Sequence, residues 1–302
     1  MKGPLAEPVI LWLKRGVFGF ALLALLYRAW SGALLHQLVE PVLIHPHADN
    51  VYWLFHILQL PELLVGNRFV ALVVDLLLFA MPVLALSFPK STLWPRLFSL
   101  VLLCYFVTFH TFFGHHGHSL VGLLFMVVPF WFSHARTVTY ALRGVRFYAL
   151  FAYVSAACYK IFRGSAFDHY HLMNTLRQQN ADLLWDGAQG FRQELMMDLM
   201  FSPTLLMWIG IVVLVVQLSF TIGFFTRKLD AVLIVLGVLF HVGTWLTMDI
   251  NFWEFTVLYF ALLPGKKLQQ WAGIAPKKSK DQARNTGAPS ASNKASALSK
   301  HS

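Results

Sequence analysis

Apolar residues gather along the chain in blocks, and most charges fall between them. Eight blocks are predicted as membrane-spanning helices: 9–29, 69–88, 95–113, 119–133, 147–162, 203–225, 229–248 and 252–264. A straight span needs about 20 apolar residues, so the fourth and the eighth are short for the task. Between the first two blocks, residues 31–66 scatter Pro, His and acids among apolar positions. That mixture predicts an interfacial, partly helical excursion. Residues 163–202 interleave Leu172, Leu176, Leu183 and Met196 with acids and arginines, which predicts one or two amphipathic helices lying as a lid over one mouth of the bundle.

Composition agrees with the pattern. Of the 302 residues, 57% are hydrophobic and only 13% charged, against about 25% charged in a soluble domain. The expected fold is therefore all-α, a polytopic membrane helical bundle over 1–265, followed by a basic disordered tail over 266–302. No cleavable signal peptide is evident, and the first block is read as an anchor. Cys104 and Cys158 both fall within predicted spans, so no disulfide is expected.

Charge then sets an orientation. With the N-terminus inside, 18 of the 24 Lys and Arg fall on inner segments or the tail, as the positive-inside rule demands. Nine of the fourteen acids fall on outer segments. Both termini are thus expected on the cytoplasmic side. The net charge of +10 is dispersed between spans, which fits membrane anchoring and argues against a nucleic-acid surface.

With that topology Lys160, His110, His115, His116, His118, Asp249 and Glu254 belong to one side of the membrane, with His241 lower in the seventh span. Ionisable groups at such depth are candidates for function. Each also has a plainer reading. Lys160 could snorkel to the headgroups beside Arg163. The histidine cluster could be a polar loop, and the pair within spans, His110 and His241, could bond neighbouring helices or hold a haem. Histidines spaced as His115-His116-Gly117-His118 lack a nearby Cys, Asp or Glu to complete a zinc site. Asp75 lies deeper than the rest, without an assignable partner.

Three segments carry a resemblance. Gly117-His118-Ser119-Leu120-Val121-Gly122-Leu123-Leu124 resembles the N-H-S-Y-L-Y-G-L-L stretch of vitamin K-dependent gamma-carboxylase. Tyr153-Val154-Ser155-Ala156-Ala157-Cys158-Tyr159-Lys160-Ile161 resembles its Y-F-I-A-G-V-K-K-L segment. Phe240-His241 and Met248-Asp249-Ile250-Asn251-Phe252 resemble its F-H … F-S-I-G-M-F pattern. The order and rough spacing agree over 10–264, the portion shared with a bacterial group, the horizontally transferred transmembrane (HTTM) family.

The resemblance implies a bacterial inner-membrane protein with catalytic Lys160 and His118. Lys160 would be the base that deprotonates a vitamin K-like quinol, and His118 would stabilise charge at the reacting centre. His110, His115, His241 and Asp249, placed on the same side of the membrane by the topology, are the candidates to line the cofactor site. Two departures stand out. Tyr159 replaces the first lysine of the family's pair, and His116-Gly117 replace the residues before its histidine. Only 38 residues follow Pro264, so a counterpart of the family's lumenal peptide-capturing domain is not expected among them. The expectation is a carboxylase-like pocket at the outer leaflet for a quinol or lipid-like substrate. Two other classes stay open: a non-catalytic scaffold or accessory subunit holding a membrane or periplasmic protein through 163–202, and a histidine-ligated haem or metal protein.

Overall fold

In the computed structural model, described residues are 3–38, 57–59, 63–64, 66–113, 120–165, 167–181, 190–248, 252–263 and 265–273. They are helical, with no strand among them. In chain order the elements are α1 (Glu7–Trp30), a 3-10 turn (Leu35–Gln37), α2 (Arg68–Ser87), α3 (Leu93–Phe113) and α4 (Leu120–Val127) running into a 3-10 turn (Val128–Trp131). There follow α5 (Ala135–Arg163), α6 (His169–Gln179), α7 (Phe191–Met200), α8 (Pro203–Ser219), α9 (Thr221–Phe225), α10 (Asp230–Met248), a nine-residue 3-10 helix (Trp253–Ala261) and α11 (Gly265–Trp271).

Local chemistry sets several boundaries. Asn67 caps α2, its side chain accepting from the amides of Phe69 (3.1 Å) and Val70 (3.3 Å). Asp168 caps α6 in the same way. Pro203 opens α8, where its missing N–H costs nothing. Gly164 closes α5 with φ 68°, a left-handed position that a Cβ would disfavour.

Among the described residues, five segments are long and apolar enough to cross a membrane: Glu7–Gln37, Arg68–Ser87, Ala135–Arg163, Pro203–Phe225 and Asp230–Met248. The chain is therefore read as a membrane protein. The third predicted block falls on α3, whose apolar stretch is Leu93–Phe109. The fourth falls on α4 and its 3-10 extension, Leu120–Trp131, and the eighth on the closing 3-10 helix. These last two are too short to cross alone. At roughly 1.5 and 2.0 Å of rise per residue they cover only part of a ~30 Å core. Both are packed inside the bundle, Gly122 of α4 letting the backbone of Phe255 come within 3.0 Å of where a Cβ would sit.

The fifth helix is longer than its apolar block. It begins at Ala135 and takes in three arginines expected to lie before a span. Arg136 and Arg143 lay their guanidinium groups over the Tyr140 ring, 5.7 and 5.2 Å from its centroid. Arg146 is buried and ion-paired to Asp230 at 2.7 Å. A paired or stacked cation does not break a membrane helix, which is why hydropathy alone placed the start too late.

The polar contacts fix which helix ends lie together. Lys14 donates to the carbonyls of Pro89 and Ser91, and the Leu5 amide donates to Thr139 Oγ1. The start of α1, the α2–α3 loop and the start of α5 thus share one end of the bundle, called basal below. Arg146–Asp230 places the start of α10 there too. Trp271 of α11 packs on Trp12, with ring centroids 5.3 Å apart. At the opposite, distal end, Arg28 meets Glu254. The main core joins α1, α2, α3, α4, the first half of α5 and both later 3-10 segments. The second half of α5 and α6 through α10 pack around smaller clusters.

Of the 31–66 excursion, the Leu35–Gln37 turn is described. It accounts for Asp75, whose carboxylate accepts from the amides of Leu35 (3.1 Å) and His36 (2.9 Å) and meets His36 Nδ1 at 2.7 Å. Residues 39–56 and the tail from 274 lie outside the described residues.

Candidate functional site

Three polar residues of α5 recur every seven positions: Arg146, Tyr153 and Lys160. Seven residues are nearly two helical turns, about 10 Å of rise, so the three share one stripe. The stripe faces α8–α10, and each rung is engaged differently. Arg146 donates to both Asp230 oxygens and to the carbonyls of Gly223 and Thr226. Tyr153 Oη lies 2.7 Å from His241 Nε2 and 2.5 Å from Tyr259 Oη, in a buried three-membered chain. Its ring stacks on Phe220 with centroids 3.9 Å apart. Lys160 Nζ donates to Gln217 Oε1 at 3.1 Å.

The third rung borders a cavity of about 220 Å³ at the distal end. Its walls are the end of α5, α6, α8 and the last residues of α10, with Leu199 of α7 closing it. α6 and α7 belong to the predicted 163–202 segment. They rest on α8 and α10 through a cluster of Leu176, Met196, Leu199, Met200 and Leu206. Asn180 ties α6 down, its Nδ2 donating to the Thr247 carbonyl at 2.9 Å.

Polar groups in the lining are few. Thr175, Thr247 and Ser165 each donate to a backbone carbonyl, those of His171, Gly243 and Lys160 respectively. No Asp or Glu among the described residues lines the cavity. Among the described residues, Gln217 is the only hydrogen-bonding partner of the Lys160 amine. Lys160 therefore does not project freely to the headgroups as a snorkelling lysine would: its amine is held back between helices.

The other predicted site residues are distributed as follows. His115, His116, His118 and Asp249 lie outside the described residues, and of His110 only its helical position on α3 is described. His241 is buried on α10, with Nε2 committed to Tyr153 and Nδ1 without a partner. A haem-ligating role would have to displace that Tyr153 bond. Glu254 is not near the Lys160 cavity chemistry but in a separate ion pair. Its Oε1 receives Arg28 Nε and Nη2, both at 2.7 Å. Arg28 also donates to Tyr105 Oη, which donates on to the Ala33 carbonyl. Among the described residues no group of three His, Cys, Asp or Glu side chains is placed to hold a metal ion.

Sequence reasoning passed over Arg28, Tyr105, Tyr153, Gln217 and Tyr259. The seven-residue spacing of Arg146, Tyr153 and Lys160 was a usable signal for the second of them; Gln217, a lone amide in an apolar span, was another. Together the five spans and this polar stripe define an all-helical membrane protein with a distal cavity bordered by a lysine. No protein family, curated protein or solved structure matches the chain.

Proposed function

We propose that this is a carboxylase-like integral membrane protein of the HTTM kind, whose distal cavity takes a lipid-soluble molecule with an acidic head, a quinol or other lipid-like acid. Lys160 is the group that receives the head's proton. The observation that carries this reading is the Lys160 amine beside an apolar cavity, without a carboxylate partner among the described residues. An amine so placed lacks the counter-charge that would hold it as ammonium, and water is scarce around it. Those are the conditions a lysine base needs. α6 and α7 act as the lid, keeping water from the reacting oxygen. The basal end is cytoplasmic, and the cavity opens toward the outer leaflet of the inner membrane.

The test compares purified wild type with Lys160→Met and Lys160→Arg. Native mass spectrometry should find a co-purifying lipid-mass ligand on wild type, and reduced-quinone turnover should be lost in both variants. Guanidinium stays protonated, so Lys160→Arg keeps a cation but supplies no base. Full turnover in Lys160→Arg would remove the base role and leave a binding lysine.

A second reading, the scaffold, is favoured by one feature. Phe167, Tyr170, Phe191 and Phe201 on and beside the lid helices are all at least half exposed. Such residues suit a membrane or periplasmic protein partner. Loss of a co-purifying protein in a Phe191→Ser, Phe201→Ser variant, with turnover intact or absent throughout, would favour it.

A further inference from the structure

We propose that the Lys160 cavity binds a single-chain lipid carboxylate, with its head on Lys160 and its tail among the aliphatic side chains of α6 and α8. The proposal rests on the reading of this cavity as a site for a lipid-soluble acid, and it narrows the class of that acid.

The three hydroxyls in the lining spend their protons on backbone carbonyls. The Gln217 oxygen that faces Lys160 is already accepting. What remains to donate is the lysine amine and the ring of His171 on α6. No carboxylate among the described lining residues competes for them. A site with a basic amine and no acidic acceptor among the described residues matches an acid. A neutral alcohol or an amine head would pass no proton to Lys160 and form no ion pair with it. A carboxylate presents acceptor oxygens to the Lys160 amine and leaves a charge-assisted pair once its proton is transferred.

The walls then choose the rest of the molecule. Leu172, Leu176, Leu199, Leu206, Ile209 and Val213 are aliphatic, and no Phe, Tyr or Trp is among the described lining residues. A flat quinol ring finds little there to stack on, whereas a flexible methylene chain packs well against branched aliphatic groups. The volume of about 220 Å³ corresponds to roughly seven waters at ~30 Å³ each. That admits a head and part of one chain. Gly210 on α8 contributes to this room by presenting no side chain.

The proton balance is simple. The acid's O–H bond breaks, its proton passes to the neutral amine, and a carboxylate–ammonium pair remains. No oxidant or second reactant is required.

The experiment uses the full chain in phosphatidylcholine nanodiscs and a long-chain fatty acid bearing a mid-chain diazirine. On illumination it should label residues of α6 and α8 that line the cavity. Excess oleate should abolish the labelling, and equal oleyl alcohol should not. Lys160→Met should reduce labelling ~10-fold, the scale of one lost charge-assisted hydrogen bond. Lys160→Arg should retain it, since the cation survives. Gly210→Leu should fill the cavity and abolish it. Gel filtration establishes that each variant is folded; Lys160→Gln serves if Lys160→Met is not. Unchanged labelling in both Lys160→Met and Lys160→Gln would overturn the proposal. So would competition by oleyl alcohol or a short-chain quinol but not by oleate, and that result would leave the cavity reading standing. If neither the acid nor a diazirine-bearing quinol labels the cavity, the cavity reading itself fails.

Discussion

Single residues on α10 show how tightly the middle of the bundle is specified. A Cβ on Gly237 would lie 2.0 Å from Tyr259 Oη and 2.6 Å from its Cζ. That phenol cannot swing away cheaply, because it is bonded to Tyr153, which is bonded in turn to His241. Gly237→Ala is therefore expected to destabilise by ~1–3 kcal/mol, an overpacking cost. Thermal unfolding in detergent checks this, and an unchanged midpoint would mean the chain of hydroxyls is looser than its distances indicate. At the same scale, Lys160 and Asp75 were legible in the sequence as polar groups within apolar blocks. Their partners were not. Asp75 is satisfied by backbone amides of a turn 40 residues away, and Lys160 by an amide 57 residues on. Hydropathy reports that a buried polar group must be satisfied; it does not say by what.

The elements differ in how far periodicity could place them. The apolar blocks at 69–88, 203–225 and 229–248 fall within a residue or two of α2, α8–α9 and α10. The closing 3-10 helix could not be foreseen, since its nine residues read simply as a short apolar block. The start of α5 was missed because Arg146 looks like a boundary until Asp230 is brought beside it. That pair makes a quantitative prediction. Both side chains are buried, and Arg146 gains two further carbonyl acceptors. Arg146→Met alone leaves a buried carboxylate uncompensated and should cost ~3–5 kcal/mol. Asp230→Asn alone should be costly for the same reason, from the side of the cation. The double variant removes both charges and should recover part of the loss, giving a coupling energy of ~0.5–3 kcal/mol in a double-mutant cycle. Strict additivity would mean that the two charges are held by other groups and that the pair is incidental.

For the whole molecule, the fold ties both described ends of the chain to one side. Leu5 reaches Thr139 at the start of α5, and Trp271 packs on Trp12 near the start of α1. Residues Lys14, Arg15, Lys90, Arg96, Arg136, Arg143, Arg146, Arg227 and Lys228 belong to helix ends and loops of that same basal side. Lysines and arginines so placed resist transfer across the membrane, whereas the Lys160 cavity lies at the other end. The sidedness of the bundle, not any one residue, therefore decides where a ligand enters. A green fluorescent reporter fused after Ser302 is expected to fluoresce, and alkaline phosphatase fused at the same point to stay inactive, as both report a cytoplasmic end. A single cysteine placed at exposed Phe162, with Cys104 and Cys158 replaced by serine, should react with an impermeant maleimide added outside intact cells. An active phosphatase fusion together with an unreactive residue-162 cysteine would invert the bundle. The cavity would then face the cytoplasm, and a periplasmic protein could not be the partner of its lid.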